Sequence, residues 1–276
     1  MPNITVGRPK ILEIEMIVAI IQARTSSCRL PAKVLAPILG KSMIVRQIER
    51  VKISKKVDKI VLATSTDSSD DGLAELCRGE GVEVARGSLN DVLDRFYMAA
   101  KSANAKTVVR LTGDCPLSDP GLIDQIVSVY SDMDVDYVSN TLVPTYPDGL
   151  DVEVFSFRAL EKAWREATLP SDREHVTPYI KNQLTNSKFN VENNIDLSAL
   201  RWTVDEPEDL ELITRIFSIL HPVNQDFGMT EILDVLKKKP EWSLLSKSIG
   251  RDEGYARSLL EDALYLQVQR SHSGED

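Results

Sequence analysis

The sequence predicts an α/β fold, a largely parallel sheet with helices on both faces, and three observations carry that prediction. Short β-branched runs alternate with amphipathic stretches through the first half of the chain. The 276 residues are 42% apolar and 27% charged, the ordinary mix for a chain that buries a sizeable core. The longest apolar runs reach about six residues, the length of a strand covered on both faces and far short of the roughly 20 that a bilayer span needs.

Residues 16–21 form the first strand, followed by a helix over 42–53 with Ile44, Val45, Ile48 and Val51 at helical spacing. Strands over 59–63 and 82–85 bracket a helix over 70–78. The helix over 91–103 gathers Val92, Leu93, Phe96, Ala99 and Ala100 on one side, and a strand over 107–111 runs into Thr112-Gly113-Asp114. A helix over 120–130 and a strand over 135–139 close the series. Such alternation implies right-handed crossovers, and sheets built this way bind ligands at the carboxyl ends of their strands. Residues 143–151, with Pro144, Pro147 and Gly149, read as a loop entering a strand over 152–155. Helices over 158–167 and 173–184 and strands over 188–192 and 200–204 follow. Asp205-Glu206-Pro207 opens a helix over 208–220, with a carboxylate and a proline where a first turn favours them. After His221-Pro222 the chain reads as helical and highly charged, with elements over 230–239 and 254–269. The expected division is a core domain over 16–220 and a helical extension over 221–276.

The charge balance, 33 basic against 42 acidic side chains for a net −9, argues against nucleic-acid binding, which needs a basic surface. Cys28, Cys77 and Cys115 are too few and too distant for a disulfide framework or a metal knuckle, and the three histidines are too scattered for a zinc site. Cys28 and Cys115 read as small packing residues, and Trp164, Trp202 and Trp242 as core or interface residues. The opening residues show no unbroken apolar targeting stretch, so a cytoplasmic protein without membrane association is expected.

The richest feature follows the first strand: Gln22-Ala23-Arg24-Thr25-Ser26-Ser27-Cys28-Arg29-Leu30-Pro31-Ala32-Lys33. Arg24, Arg29 and Lys33 stand among small residues, a pattern that lets backbone N–H groups and bidentate guanidinium groups approach a polyphosphate. No GxGxxG, GxxxxGK[ST] or GxSxG motif occurs, which leaves phosphate chemistry without a P-loop. Asp114 follows a central strand and Asp205 stands at the mouth of a helix; together they suit one Mg²⁺, which takes one or two carboxylates plus phosphate oxygens. Taken singly, Asp114 reads rather as a turn residue and Asp205 as a helix N-cap; their joint occurrence with the basic loop favours the metal. Arg110, inside a strand that reads as buried, calls for a partner such as Glu or phosphate.

These residues carry a resemblance. Ala23-Arg24, Ser27, Arg29-Leu30-Pro31 and Lys33 resemble the opening motif of the cytidylyltransferases that activate acidic sugars, the CMP-Kdo and CMP-sialate synthetases. Gln22-Ala23-Arg24-Thr25-Ser26-Ser27, Arg86-Gly87-Ser88, Asp91-Val92-Leu93-Asp94-Arg95, Thr112-Gly113-Asp114-Cys115-Pro116, Asp148-Gly149-Leu150-Asp151 and Asp172-Arg173-Glu174-His175 resemble the spore coat polysaccharide biosynthesis protein F branch of that superfamily. The resemblance implies a three-layer, Rossmann-like nucleotide-diphospho-sugar transferase fold with a mixed, mainly parallel sheet and a helical C-terminal tail. It implies that Ala23, Arg24, Arg29 and Lys33 hold the triphosphate of CTP and that Asp114 and Asp205 bind Mg²⁺. Thr64, Ser65, Arg86, Gly87 and Ser88 would border base and ribose, and a homodimer is expected.

The implied reaction is attack of an acceptor oxygen on the α-phosphorus of CTP with release of pyrophosphate, giving a CMP conjugate of an acidic sugar or small hydroxy acid for surface polysaccharide synthesis. Arg24, Lys33, Asp114 and Asp205 would be its catalytic set. Tyr146, Asp148, Asp151 and Glu153, with Arg173 and His175, are the expected acceptor-side residues. Two other readings remain open: a glycosyltransferase or nucleotidyltransferase using another nucleotide, for which Asp132-Met133-Asp134 has the form of a DxD motif, and a non-catalytic nucleotide-binding module.

Overall fold

Alternation along a single strand sets the layers. In β1 (Ile17–Gln22), Val18 and Ile20 belong to one apolar cluster and Ala19 and Ile21 to another, and all four are fully buried. Burying each branched side chain stabilises by about 1.5–3 kcal/mol, so a strand apolar on both faces needs helices on both. The computed structural model, which describes residues 15–27, 29–183, 187–245, 251 and 253–273, supplies them.

A short ribbon of β2 (Pro37–Ile38) and β3 (Lys41–Ser42) leads into α1 (Met43–Val51). The alternation continues through β4 (Lys59–Ser65), α2 (Asp71–Gly79), β5 (Glu83–Gly87), α3 (Val92–Ser102), β6 (Thr107–Thr112) and α4 (Pro120–Asp132). β7 (Tyr137–Ser139), β8 (Glu153–Ser156), α5 (Phe157–Glu166), α6 (Pro170–His175), α7 (Pro178–Asn182) and β9 (Lys188–Asn190) complete the sheet region. α8 (Pro207–Leu220), α9 (Met229–Lys238) and α10 (Glu253–Ser273) follow.

The sheet runs β5-β4-β1-β6-β8-β7-β9, parallel from β5 to β6, with β8 antiparallel to both its neighbours. One face carries Ile44 and Ile48 of α1, Ile123 and Ile126 of α4 and Ile213 of α8; Phe227, Ile232 and Leu236 join the same cluster. The other face carries Leu93 and Phe96 of α3, Leu160 of α5 and Ile180 of α7. Trp202 is core, Trp164 stacks on Tyr97 at 4.0 Å between ring centroids, and Trp242 packs against the core rim beside Arg215.

Two expectations are corrected. Residues 200–204 are not a strand: Arg201 makes an isolated bridge to Asp148, and the segment is pinned by Trp202 N donating to Asp148 O and Val204 N to Asp114 O (2.6 and 2.9 Å). The helix over 173–184 is two shorter helices, parted at Val176 in the left-handed region (φ 71°) because Pro178 opens a new first turn. Its last position, Leu184, lies outside the described residues, as does Cys28. The strand over 135–139 is present as β7, and β8 inserts between it and β6. That insertion puts Glu153 directly opposite Arg110. Among the described residues no helix is long and apolar enough to cross a membrane.

Candidate active site

β1 and β6 run side by side with Gln22 opposite Thr112, so the segments leaving them start together. Gly113 permits this approach: a Cβ there would sit 2.6 Å from Ala23 Cβ and 2.8 Å from Gln22 O. Beyond Ala23 the chain folds back, Ala32 N donating to Thr25 O at 2.9 Å with Ala32 itself at φ 55°. Thr25 N and Oγ1 both donate to Asp70 Oδ1, at 2.7 and 2.8 Å. Burial pushes the Asp70 carboxyl up, but hydrogen bonds from Ser65 and Thr25 win and hold it below its ordinary value. The loop is therefore tied to a buried anion at its start and to Lys33 at its end.

Lys33 Nζ donates to Asp114 Oδ2 at 3.2 Å, to Asp205 Oδ1 at 2.9 Å and to the Val204 carbonyl at 2.6 Å. Arg29 Nη2 also reaches Asp205 Oδ1, at 2.8 Å. Arg201, nearly buried, donates from Nη2 to Asp205 Oδ2 at 2.5 Å and from Nη1 to Asp148 Oδ2 at 3.0 Å. Asp205 is thus not the N-cap of α8; that role falls to Glu206, in a capping box with Asp209. Burial opposes the charge on Lys33, but the two carboxylates outweigh it and raise the lysine pKa. Burial likewise raises Asp114, and the Lys33 charge with the Thr112 hydrogen bond overcomes it and brings the carboxyl down to about 2. Asp205 is lowered against burial by the same Lys33 charge.

Asp114 and Asp205 offer hard oxygen donors that converge on one point, the chemistry that Mg²⁺ prefers. Among the described residues no set of three or more His, Cys, Asp or Glu side chains converges as a metal cage, so this pair would need substrate phosphates or water to complete a shell. The residues fit that role. Lys33 Nζ occupies the point between the carboxylates, so a divalent ion there would displace it.

Two cavities meet at these acids. One, of about 790 Å³, is lined by Ala23, Arg24, Asn90, Arg95, Asp114 and Asp205 among others. The other, of about 510 Å³, takes in Arg110, Asp148, Asp151, Glu153 and Lys181. Arg29, Thr112, Asp114, His175, Asp205 and Gly254 belong to both walls. In the second cavity, Glu153 is buried and accepts from Arg110, from Thr177 Oγ1 at 2.7 Å, from Tyr137 and from Lys181 at 2.8 Å. Burial raises its pKa, but the Lys181 and Arg110 charges dominate and hold it well below the usual carboxylate range. Glu153 is the partner expected for Arg110, and both of its cations, Arg110 and Lys181, line the cavity.

Several expected residues lie elsewhere. Thr64 and Ser65 are fully buried, with Ser65 Oγ donating to Asp70, and their side chains line neither cavity. Arg86 is held off by Ser65 O, Asp67 O and Asp71, and Gly87 and Ser88 instead seat Arg95. Tyr146 is buried, with its carbonyl taking Arg251 at 3.2 Å. Arg173 faces the larger cavity rather than the acceptor side and binds Asp91 and Trp164 O. Asp148, Asp151 and His175 do line the smaller cavity; Asp151 pairs with Arg251, and His175 Nε2 lies 2.9 Å from Ser258 Oγ. Cys115 is buried, its thiol pushed well up by burial and the Asp114 charge. Asp132 and Asp134 are exposed and line neither cavity. Sequence reasoning missed Arg95, Lys181, Arg201 and Arg251 as site residues; a basic residue in a predicted helix or strand carries no mark of its partner.

The cytidylyltransferase family model matches residues 18–234. The chain belongs to the cytidylyltransferase family. This cytidylyltransferase is 34% identical over 233 residues to the spore coat polysaccharide biosynthesis protein SpsF of Bacillus subtilis, covering 82% of this chain and 95% of that protein. It is 40% identical over 114 residues to a 3-deoxy-manno-octulosonate cytidylyltransferase of Zea mays, covering 40% of this chain and 37% of that one. Among solved structures, a cytidylyltransferase from Leptospira borgpetersenii superposes with a TM-score of 0.79 at 33% identity, covering 86% of this chain and 99% of that one.

Proposed function

We propose that this cytidylyltransferase joins the CMP moiety of CTP to an acidic sugar of the 3-deoxy-octulosonate or sialate type, with Mg²⁺ as cofactor. The observation that carries the reading is the meeting of two cavities at Asp114 and Asp205, which gives a nucleotide and an acceptor separate chambers and a shared wall. The larger chamber holds the basic loop and suits a triphosphate; the smaller presents Arg110 and Lys181, suited to a sugar carboxylate. The relative named a 3-deoxy-manno-octulosonate cytidylyltransferase supports the acceptor class, and the one named for spore coat polysaccharide biosynthesis supports a place in polysaccharide synthesis.

In the reaction the acceptor hydroxyl oxygen forms a bond to the α-phosphorus, and the bond from that phosphorus to the bridging oxygen breaks, releasing pyrophosphate. The hydroxyl proton passes to solvent, since Asp114, at about 2, is too weak a base to retain it. Rate then depends on alignment and on neutralising charge. Asp114 and Asp205 would hold Mg²⁺, which supplies Lewis-acid stabilisation of phosphate charge when bound. With those carboxylates engaged by the ion, Lys33 would be free to neutralise charge on the leaving phosphates, and Arg201, which donates to Asp205 Oδ2, keeps that carboxylate aimed at the seam. The decisive assay is pyrophosphate release with each of the four nucleoside triphosphates and Mg²⁺ across a panel of acidic sugars. Release confined to CTP with an acidic sugar is expected; turnover of a neutral sugar 1-phosphate or of another nucleotide would overturn the assignment.

A further inference from the structure

Arg95 is the cation of the larger cavity that the two aspartates do not explain. It is 3% exposed, yet its bonds go to main-chain carbonyls: Nη1 donates to Ser88 O and Leu89 O at 2.5 and 2.9 Å, while Nε is buried without an acceptor among the described residues. The nearest acids are already engaged among the described residues, Asp70 by Thr25 and Ser65, Asp91 by Arg173 and the amide of Asp94. The fold is shaped to admit this side chain, because a Cβ at Gly87 would stand 2.8 Å from Arg95 Cγ.

Arg24 lines the same cavity and is exposed, with no hydrogen bond or ion pair to any described residue. After burial, the Arg24 charge is the next influence that depresses the Arg95 pKa, so the two guanidinium groups repel. Arg29 and Lys33 offer less, being engaged by Asp205 and Asp114. Two like charges held in one cleft, one of them desolvated, are unfavourable until an anion lies between them. Guanidinium forks match phosphate oxygens bidentately, and a fixed fork loses little freedom on binding.

We propose that Arg95 and Arg24 form an anion subsite for the phosphate groups of the nucleotide, with Arg95 as its buried, preset half. The proposal rests on the nucleotide reading given above. It is tested by calorimetric titration of the full chain with inorganic tripolyphosphate and with CTP, each with Mg²⁺, in wild type, Arg24→Ala, Arg95→Gln and Arg95→Lys. Arg95→Gln and Arg24→Ala are each expected to weaken both ligands about tenfold, the scale of one charge-assisted hydrogen bond. Arg95→Lys, which keeps charge and bulk but not the fork, carries the test if the glutamine variant does not fold, with about threefold weakening expected. Wild-type tripolyphosphate affinity in both Arg95 variants overturns the subsite, as does loss of CTP with tripolyphosphate unchanged, which would put Arg95 at the base or ribose. Tripolyphosphate bound through Arg95 without any CTP binding would support the subsite and remove the nucleotide reading instead.

Discussion

Asp114 and Asp205, contributed by segments on either side of β7, β8 and β9, grip the same ammonium group, Lys33 Nζ lying 3.2 Å from one and 2.9 Å from the other. This lysine neutralises the acids, and in the proposed reaction a divalent ion held by them would displace it. Exchange of an internal cation for an external one is the physical core of the proposed chemistry.

Lys33→Met tests that exchange directly. Removing the lysine leaves two acids facing each other in a largely buried setting, which is expected to destabilise by about 3 kcal/mol. Mg²⁺ alone should then raise the melting temperature of the variant more than that of wild type. Equal Mg²⁺ responses in a thermal shift assay would show that the ion binds elsewhere.

Asp114→Asn and Asp205→Asn are each expected to slow pyrophosphate release about a hundredfold, roughly 3 kcal/mol of barrier. They differ in stability. Asp205 also binds Arg29 and Arg201, so its loss leaves the nearly buried Arg201 short of an anion, and Asp205→Asn should melt lower than Asp114→Asn.

The Asp114 carboxyl stands at about 2 in the folded chain against an ordinary 3.8. A depressed acid contributes stability above its unfolded pKa and loses it as pH falls through the folded one, because the unfolded chain takes up the proton first. This contribution, about 2 kcal/mol at neutral pH, is expected to disappear between about pH 4 and pH 2. Urea unfolding across that window should show the slope in wild type and a flatter one in Asp114→Asn.

Asp172 carries the opposite sign. Burial, with the Asp262 charge, pushes it up to about 6. The raised acid favours folding below its unfolded pKa, and that support is lost as pH rises through about 6. Asp172→Asn should therefore stabilise the protein at pH 7.5, by about 3 kcal/mol, and leave it unchanged at about pH 3. The group lies where α6 meets α10, Ser171 Oγ donating to Asp262 Oδ2 at 2.6 Å, so hydrogen exchange in α10 should slow in the variant.

Gly113→Ala would drive a methyl into Ala23 and the Gln22 carbonyl at under 3 Å from each. Overpacking of this kind costs about 1–3 kcal/mol, and here it parts the exits of β1 and β6. CTP affinity in a thermal shift titration should fall with stability, whereas Thr64→Val, at a buried position, should leave affinity intact.

Much of the fold was legible because periodicity records burial locally. The double-faced apolar run of β1, the amphipathic helix that became α3 and the glycine turn before Asp114 each declare their surroundings within a few residues. Placement of chemistry at strand ends followed from that reading, and Arg24, Lys33, Asp114 and Asp205 do share one cleft. The insertion of β8, the irregular path of 200–204 and the break at Val176 were not legible, since each depends on contacts with distant segments or on one turn overriding propensity.

The sequence by itself determined where cations and acids stand along the chain and which of them leave a buried strand. Tertiary structure decided their partners: Lys33 with two acids, Arg110 with Glu153, Arg201 across Asp148 and Asp205, and Arg95 with the Ser88 and Leu89 carbonyls. The reason is that a side chain's burial follows the local repeat of apolar residues, whereas a charge finds its counter-charge across space, at a distance no local pattern encodes.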